Sequence, residues 1–179
     1  MEGDRDGIDM EYELLGYHTD SENPPTLSLD HRDFGYAGKF NMSRYAKVVA
    51  TDTDGTVLGA LAFDEDRVSP GVVRIRYIEV RKGRRGEGIG SELTRFFADE
   101  VVDDGATEYE RARIAVNNPF AYDAMYEAGF EFTGEKTGMA ELVLEYPAEN
   151  PAGYAEGFEE FEKRDSLSDE ERDFVERKK

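Results

Sequence analysis

Cysteine is absent from this chain of 179 residues, and with it any disulfide framework, thiolate metal site or thiol nucleophile. Histidine occurs twice, as His18 and His31, too few for a multi-histidine zinc site, and both read as loop residues. Lysine is scarce as well: seven of the 22 basic residues are lysine and the rest arginine. No apolar run approaches the roughly 18 residues that a membrane span needs. The longest, VLGALAF, is broken by Gly59. The opening MEGDRDGIDMEYE is acidic and has no apolar core of the kind a secretory signal carries, so none is expected. What remains is the size of one domain with an appendage, large enough to bury a core without staples.

What the chain does have is acid. Its 41 acidic residues outnumber the 22 basic ones, for a formal net charge of −19. A dense carboxylate surface with little lysine resembles the proteins of salt-accumulating halophiles, which implies a halophilic archaeon as source; the alternative is an ordinary acidic cytosolic protein, and a cytoplasmic location is expected on either reading. Such a surface stays hydrated in concentrated salt, where charges are screened within about 3 Å at 1 M. The same field repels phosphates, so no nucleic-acid partner is expected, and no membrane partner either.

Local patterns order the chain. Residues 1–11 read as a flexible acidic N-terminus. Residues 12–44 are the hardest to read: Pro24-Pro25 marks a turn, TLSLD suits a short strand, and HRDFGYAGKF has weak helical spacing with two glycines against it. From Tyr45 the signal sharpens. YAKVVATD, a turn at Asp54-Gly55, VLGALAFDED, a turn at Ser69-Pro70-Gly71, and VVRIRYIEV predict an antiparallel meander. SELTRFFADEVVDD carries Leu93, Phe96, Phe97 and Val101 as a helical stripe that Gly105 ends. A strand follows over 110–116. Asn118 then caps a helix with Pro119 at its first position, and Gly129 stops it. Two strands, 130–133 and 139–146, close a mixed α/β (α+β) sheet with helices on both sides. Residues 147–179 read as an acidic helical extension. Tyr154, Phe158 and Phe161 lie at helical spacing, and Ser168-Asp169-Glu170-Glu171 opens a last helix as a capping box. The extension packs on the domain or on a partner, a second copy making a homodimer included.

One stretch stands out in so acidic a chain. RKGRRGEGIGSEL, residues 81–93, gathers four basic residues and four glycines between a strand and a helix. The first turn of a helix leaves backbone N–H groups unpaired and carries partial positive charge, and glycines let an anion approach that backbone closely. The stretch therefore reads as a phosphate cradle. It is not a P-loop, because Gly90 is followed by Ser91 without the required lysine. It is a poor dinucleotide fingerprint, because its third glycine comes one position early and a meander precedes it. As a nucleic-acid patch, RKGRR lacks interleaved aromatics and is opposed by the net charge.

Arg85-Gly86-Glu87-Gly88-Ile89-Gly90 matches the R/Q-x-x-G-x-G/A signature of the GCN5-related N-acetyltransferases, and the strand, loop and helix around it resemble that family in context. Asn118-Pro119-Phe120-Ala121 through Gly129-Phe130 resembles the family's N-x-x-A…G-F helix. The resemblance covers roughly residues 45–146; with the flanks it gives a domain over 12–146 and an extension over 147–179. It implies the acyl-CoA N-acyltransferase fold and acetyl-CoA as co-substrate, with no metal. The pyrophosphate would lie on the amides of Gly86, Glu87, Gly88, Ile89, Gly90 and Ser91, with Arg85 beside them. The strand Ile78-Glu79-Val80 would splay from Ile114–Val116 and pair with the pantetheine arm, which mimics a strand. Asn118 would hydrogen-bond that arm, cap its helix, or do both.

The implied reaction is attack of a primary amine on the thioester, with the Val80 N–H as oxyanion donor. The family's usual acid is a tyrosine four residues before Gly-Phe. Met125 stands there, so the role falls to Tyr126, to Tyr122, or to neither. The family's usual base positions hold Arg74 and Arg113. Glu79 is out of phase with Val80 and reads as structural. Arg74 and Arg76 share a face that suits an acidic acceptor. The family's acceptor segment is Phe34 to Phe40, aromatic and without decisive charge, so the acceptor, small molecule or protein, is not legible. A noncatalytic acyl-CoA-binding or regulatory module is the alternative reading.

Overall fold

The computed structural model describes residues 9–16, 26–42, 44–104 and 107–178. The expected turn at Pro24-Pro25, His18 and the helix stop at Gly105 lie outside them. Among the described residues, seven strands form one mixed sheet: β1 (Glu11–Leu15), β2 (Ala46–Thr51), β3 (Val57–Glu65), β4 (Val72–Val80), β5 (Arg111–Val116), β6 (Glu131–Lys136) and β7 (Leu142–Tyr146), in the order β1-β2-β3-β4-β5-β7-β6. The β4–β5 pair is parallel, while β1–β2, β2–β3, β5–β7 and β6–β7 are antiparallel. The five α-helices among the described residues are α1 (Ala37–Phe40), α2 (Ile89–Phe97), α3 (Pro119–Glu127), α4 (Tyr154–Glu162) and α5 (Asp169–Lys178).

Two expectations are corrected. TLSLD is not a strand; it is irregular, tied down by the Leu27 N–H on the Phe40 carbonyl. The N-terminal strand is instead β1, whose Glu11 belongs to a stretch read as flexible. EYELL shows little apolar alternation, and its order comes from register with β2, Glu11 opposite Thr51 through Leu15 opposite Lys47. The helix expected over 91–104 starts earlier and changes pitch. After Phe97 it becomes a π turn over Ala98–Asp103, with the Asp104 N–H on the Asp99 carbonyl, while Leu93, Phe97 and Val101 stay buried as the stripe required.

The chain divides into two compact units: residues 1–64 with 76–93, and residues 65–75 with 94–179. In the first, Phe40, Tyr45, Ala60 and Ala62 form a core that Leu27, Leu29, Met42 and Tyr77 close. A buried lysine serves this core. The Lys47 Nζ, itself buried, donates to the carbonyls of Met42 (2.9 Å) and Tyr45 (2.8 Å). Burial lowers its pKa.

In the second unit, the extension is part of the packing. Gly129 ends α3 as expected, with the Phe130 N–H on the Met125 carbonyl (3.0 Å). The rings of Tyr122, Phe132, Phe158 and Phe161 pack edge to face, with centroids 5.0–6.1 Å from that of Tyr122. Ser168 caps α5 by accepting the Glu171 N–H at 3.1 Å.

Candidate active site

The first unit carries the glycine loop. As β4 ends, the Arg81 N–H bonds the Leu58 carbonyl (2.8 Å) and the Lys82 N–H bonds the Asp33 carbonyl (2.9 Å). Hydrogen bonding alternates along a strand, so if Arg81 faces β3, the Val80 N–H points to the other edge. Gly83, Gly86 and Gly88 all have positive φ, 83–86°, a conformation that disfavours any other residue. Left-handed glycines on either side of Glu87 give the kind of turn that can present successive N–H groups as an anion-binding nest. Among the described residues, the N–H groups of Arg85, Gly86, Glu87 and Gly88 have no acceptor. The Glu92 N–H on the Gly88 carbonyl (3.1 Å) then starts α2. Nothing lies within 4 Å of where a side chain would begin at Gly83, Gly86 or Gly88, so this backbone is open to a ligand.

The basic side chains around the nest are mostly neutralised. Arg81 pairs with Asp33 (2.9 Å), Arg84 with Glu87 (2.7 Å) and Arg85 with Glu79 (3.3 Å). Four cations against three carboxylates leave the loop a net charge near +1, and attraction for an anion falls chiefly to directed N–H groups. Glu79 is buried, with its carboxylate against Gly35 as well as Arg85. Ile78 and Val80 are half-buried, Ile89 is buried, and the Ser91 side chain is buried.

The second unit carries the other candidate residues. The β4–β5 ladder joins Val72–Arg74 to Arg111–Arg113. Residues 114–116 of β5 lie beyond that register and pair on their other edge with β7. At the end of β5, the Asn118 Oδ1 accepts the Ala121 N–H (2.9 Å) and caps α3. The cap fixes the amide so that Nδ2 is its outward donor, 3.4 Å from the Asn117 Oδ1. Met125 is in the core. Tyr122 is fully buried, and its hydroxyl donates to the Tyr154 carbonyl (2.9 Å). Burial first, and then the adjacent Tyr126 hydroxyl, hold Tyr122 far above the usual phenol range. Tyr126 is half-buried, and its hydroxyl accepts the Phe132 N–H at 2.9 Å.

The arginines that suggested an acidic acceptor are engaged. In the first unit Arg76 pairs with Asp64. In the second, Arg74 pairs with Asp66, and Arg113 and Arg111 with Glu145. Sequence reading missed these carboxylates; the alternation that puts Arg74 and Arg76 on one face was the available signal. Burial works to raise the Asp66 carboxyl, but the Val68 and Ser69 N–H groups and Arg74 outweigh it and hold the carboxyl below its usual 3.8. A lowered carboxyl stabilises the fold above its unfolded pKa, and the contribution disappears as pH falls through the folded value. Asp66→Asn is therefore expected to cost about 1–3 kcal/mol at neutral pH. Urea unfolding of the two proteins should converge as pH falls below about 4. Among the described residues, no cluster of three or more histidine, cysteine or acidic side chains could hold a metal, and no helix is long and apolar enough to cross a membrane.

A sequence model described as acetyltransferase (GNAT) family matches residues 10–132. Among curated proteins, none matches this chain. Solved structures do. An acetyltransferase from Bacillus subtilis, solved in complex with CoA, is 16% identical with a TM-score of 0.54, covering 76% of this chain and 97% of its own. A GCN5-related N-acetyltransferase from Kribbella flavida is 26% identical with a TM-score of 0.47, covering 59% of this chain and 68% of its own. An N-acetyltransferase from Staphylococcus aureus is 21% identical with a TM-score of 0.47; the chain covers 66% of its length and 56% of this chain is covered.

Proposed function

We propose, from the premise that this chain belongs to the acetyltransferase (GNAT) family, that it transfers the acetyl group of acetyl-CoA to a primary amine of a small molecule or a protein. The observation that carries the reading is the open nest of four unpaired N–H groups between β4 and α2. The CoA complex of the Bacillus subtilis relative, whose fold this chain shares, supports the choice of donor. On this reading the pyrophosphate lies on the amides of Gly86–Ser91, and Asn118 donates from Nδ2 to a pantetheine carbonyl. Residues 12–146 are the catalytic domain and 147–179 an extension of it. The acidic surface fits work in the salt-rich cytoplasm of a halophilic archaeon.

In the reaction, a neutral amine attacks the thioester carbonyl. The C–N bond forms, the oxyanion is held by the outward Val80 N–H, the nitrogen, now positively charged, gives up a proton to solvent, the C–S bond breaks, and the thiolate takes a proton. We assign that proton to Tyr126 rather than Tyr122. Tyr126 is half-buried rather than enclosed, and its hydroxyl oxygen is held in place by the Phe132 N–H at 2.9 Å. The buried Tyr122 hydroxyl is committed to the extension's carbonyls. Tyr126→Phe is expected to lower kcat about 100-fold and leave CoA affinity unchanged. The function itself is tested by thiol release from acetyl-CoA against a panel of primary amines in molar salt. CoA binding without turnover on any amine would favour the noncatalytic module, a reading that the buried Met125 at the usual tyrosine position supports.

A further inference from the structure

The extension beyond the matched region supplies a side chain that reaches the β5–α3 corner. Arg164 follows α4 and is fixed at both ends. Its own N–H bonds the Phe161 carbonyl (3.0 Å), and its guanidinium stacks over the buried Phe161 ring at 4.6 Å. From there Nη1 donates to the Asn117 carbonyl at 2.7 Å, and Nη2 donates to the Ala140 carbonyl. Most arginines in this acidic chain hold a carboxylate. Arg164 holds none among the described residues, and its fork is committed to two carbonyls. Each carbonyl lies where a regular element has stopped. Asn117 sits between β5 and the first turn of α3, and Ala140, with φ of 61°, sits in the β6–β7 turn. A planar fork with fixed donor directions can bridge two such groups, which a lysine cannot do with the same geometry.

We propose that Arg164 is a positioning residue for the donor. The Asn117 carbonyl and the Asn118 N–H belong to one rigid peptide plane, so a guanidinium on the carbonyl sets where Asn118 begins. The cap on the Ala121 N–H sets its side chain. Together they aim Nδ2, the atom assigned to the pantetheine arm. The inference rests on the acetyl-CoA reading and adds to it a residue outside the family match. A misplacement of the order of 1 Å at such a donor can cost as much as 100-fold in rate.

The test compares two ligands by isothermal titration: CoA, and adenosine 3′-phosphate 5′-diphosphate, which keeps the pyrophosphate and lacks the pantetheine arm. Arg164→Ala is expected to weaken CoA about tenfold and leave the shorter ligand unchanged. Arg164→Lys should fall between Arg164→Ala and the wild type, and it carries the comparison if the alanine variant does not fold. Equal affinities in variant and wild type for both ligands would overturn the inference alone. So would a proportional loss of both, which marks a purely structural role. A wild type that binds neither ligand sinks the cofactor reading and the inference with it.

Discussion

A carboxylate at position 88 is expected to abolish CoA binding while leaving the fold in place. Gly88 lies in the nest with φ of 83°, and a side chain built on it would enter open space. Gly88→Glu therefore meets no steric clash. Its backbone cost in the left-handed region is about 1–2 kcal/mol, small against the 5–15 kcal/mol stability of an ordinary domain. Its charge, however, stands where the pyrophosphate is to sit. With Arg81, Arg84 and Arg85 already paired, the loop has little cation to spare against an added carboxylate. A loss of at least about 100-fold, or about 2.7 kcal/mol, is expected by titration calorimetry. The loss should persist in molar salt, because the blocked interactions are short-range. Gly88→Ala carries the same backbone strain without the charge and should retain most of the affinity. If Gly88→Glu binds CoA as the wild type does, the loop is not the cradle.

Replacing Gly157 by alanine is expected to destabilise the second unit, against the usual sign of that change. In an ordinary helix interior, Gly→Ala stabilises by roughly 0.5–1 kcal/mol. In α4, a methyl at position 157 would fall well under 3.0 Å from the Tyr122 Cζ, Oη and Cε2 atoms. Tyr122 cannot retreat. Its ring is enclosed by Tyr126, Phe132, Tyr154, Phe158 and Phe161, and its hydroxyl is tied to the Tyr154 carbonyl. Overpacking of a closed site costs about 1–3 kcal/mol and occasionally more, and the rigidity here puts the expectation at the upper end. Thermal unfolding should show a lowered Tm, and limited proteolysis should cut first within 147–179. A raised or unchanged Tm for Gly157→Ala would mean that α4 does not seat on Tyr122.

The glycine loop was legible because its determinants are local. Left-handed glycines, the start of a helix and a preceding strand all lie within residues 72–93, so the pattern that marks the loop is short-range. The β2–β3 hairpin was legible for the same reason, its turn being built by Asp52 accepting the Asp54 and Thr56 N–H groups. The charge state of the loop was not legible. Arg84–Glu87 is a pair three residues apart, but Arg81 finds Asp33 and Arg85 finds a Glu79 that sequence phase had left unassigned. Strand β1 was missed because EYELL is ordered by β2, some thirty-five residues on, rather than by its own pattern. Helical spacing alone does not distinguish the surroundings of Tyr122 from those of Tyr126, since these are set by the extension and by β6. Gly157, the Tyr154 carbonyl and the Phe132 N–H assign one hydroxyl to packing and leave the other on a donor. The sequence by itself thus determined the family, the loop and the cap, where each interaction closes within a few residues. Only the tertiary structure decided which charges are free, which tyrosine is buried and what Arg164 holds, because those depend on side chains that meet across long separations in the chain.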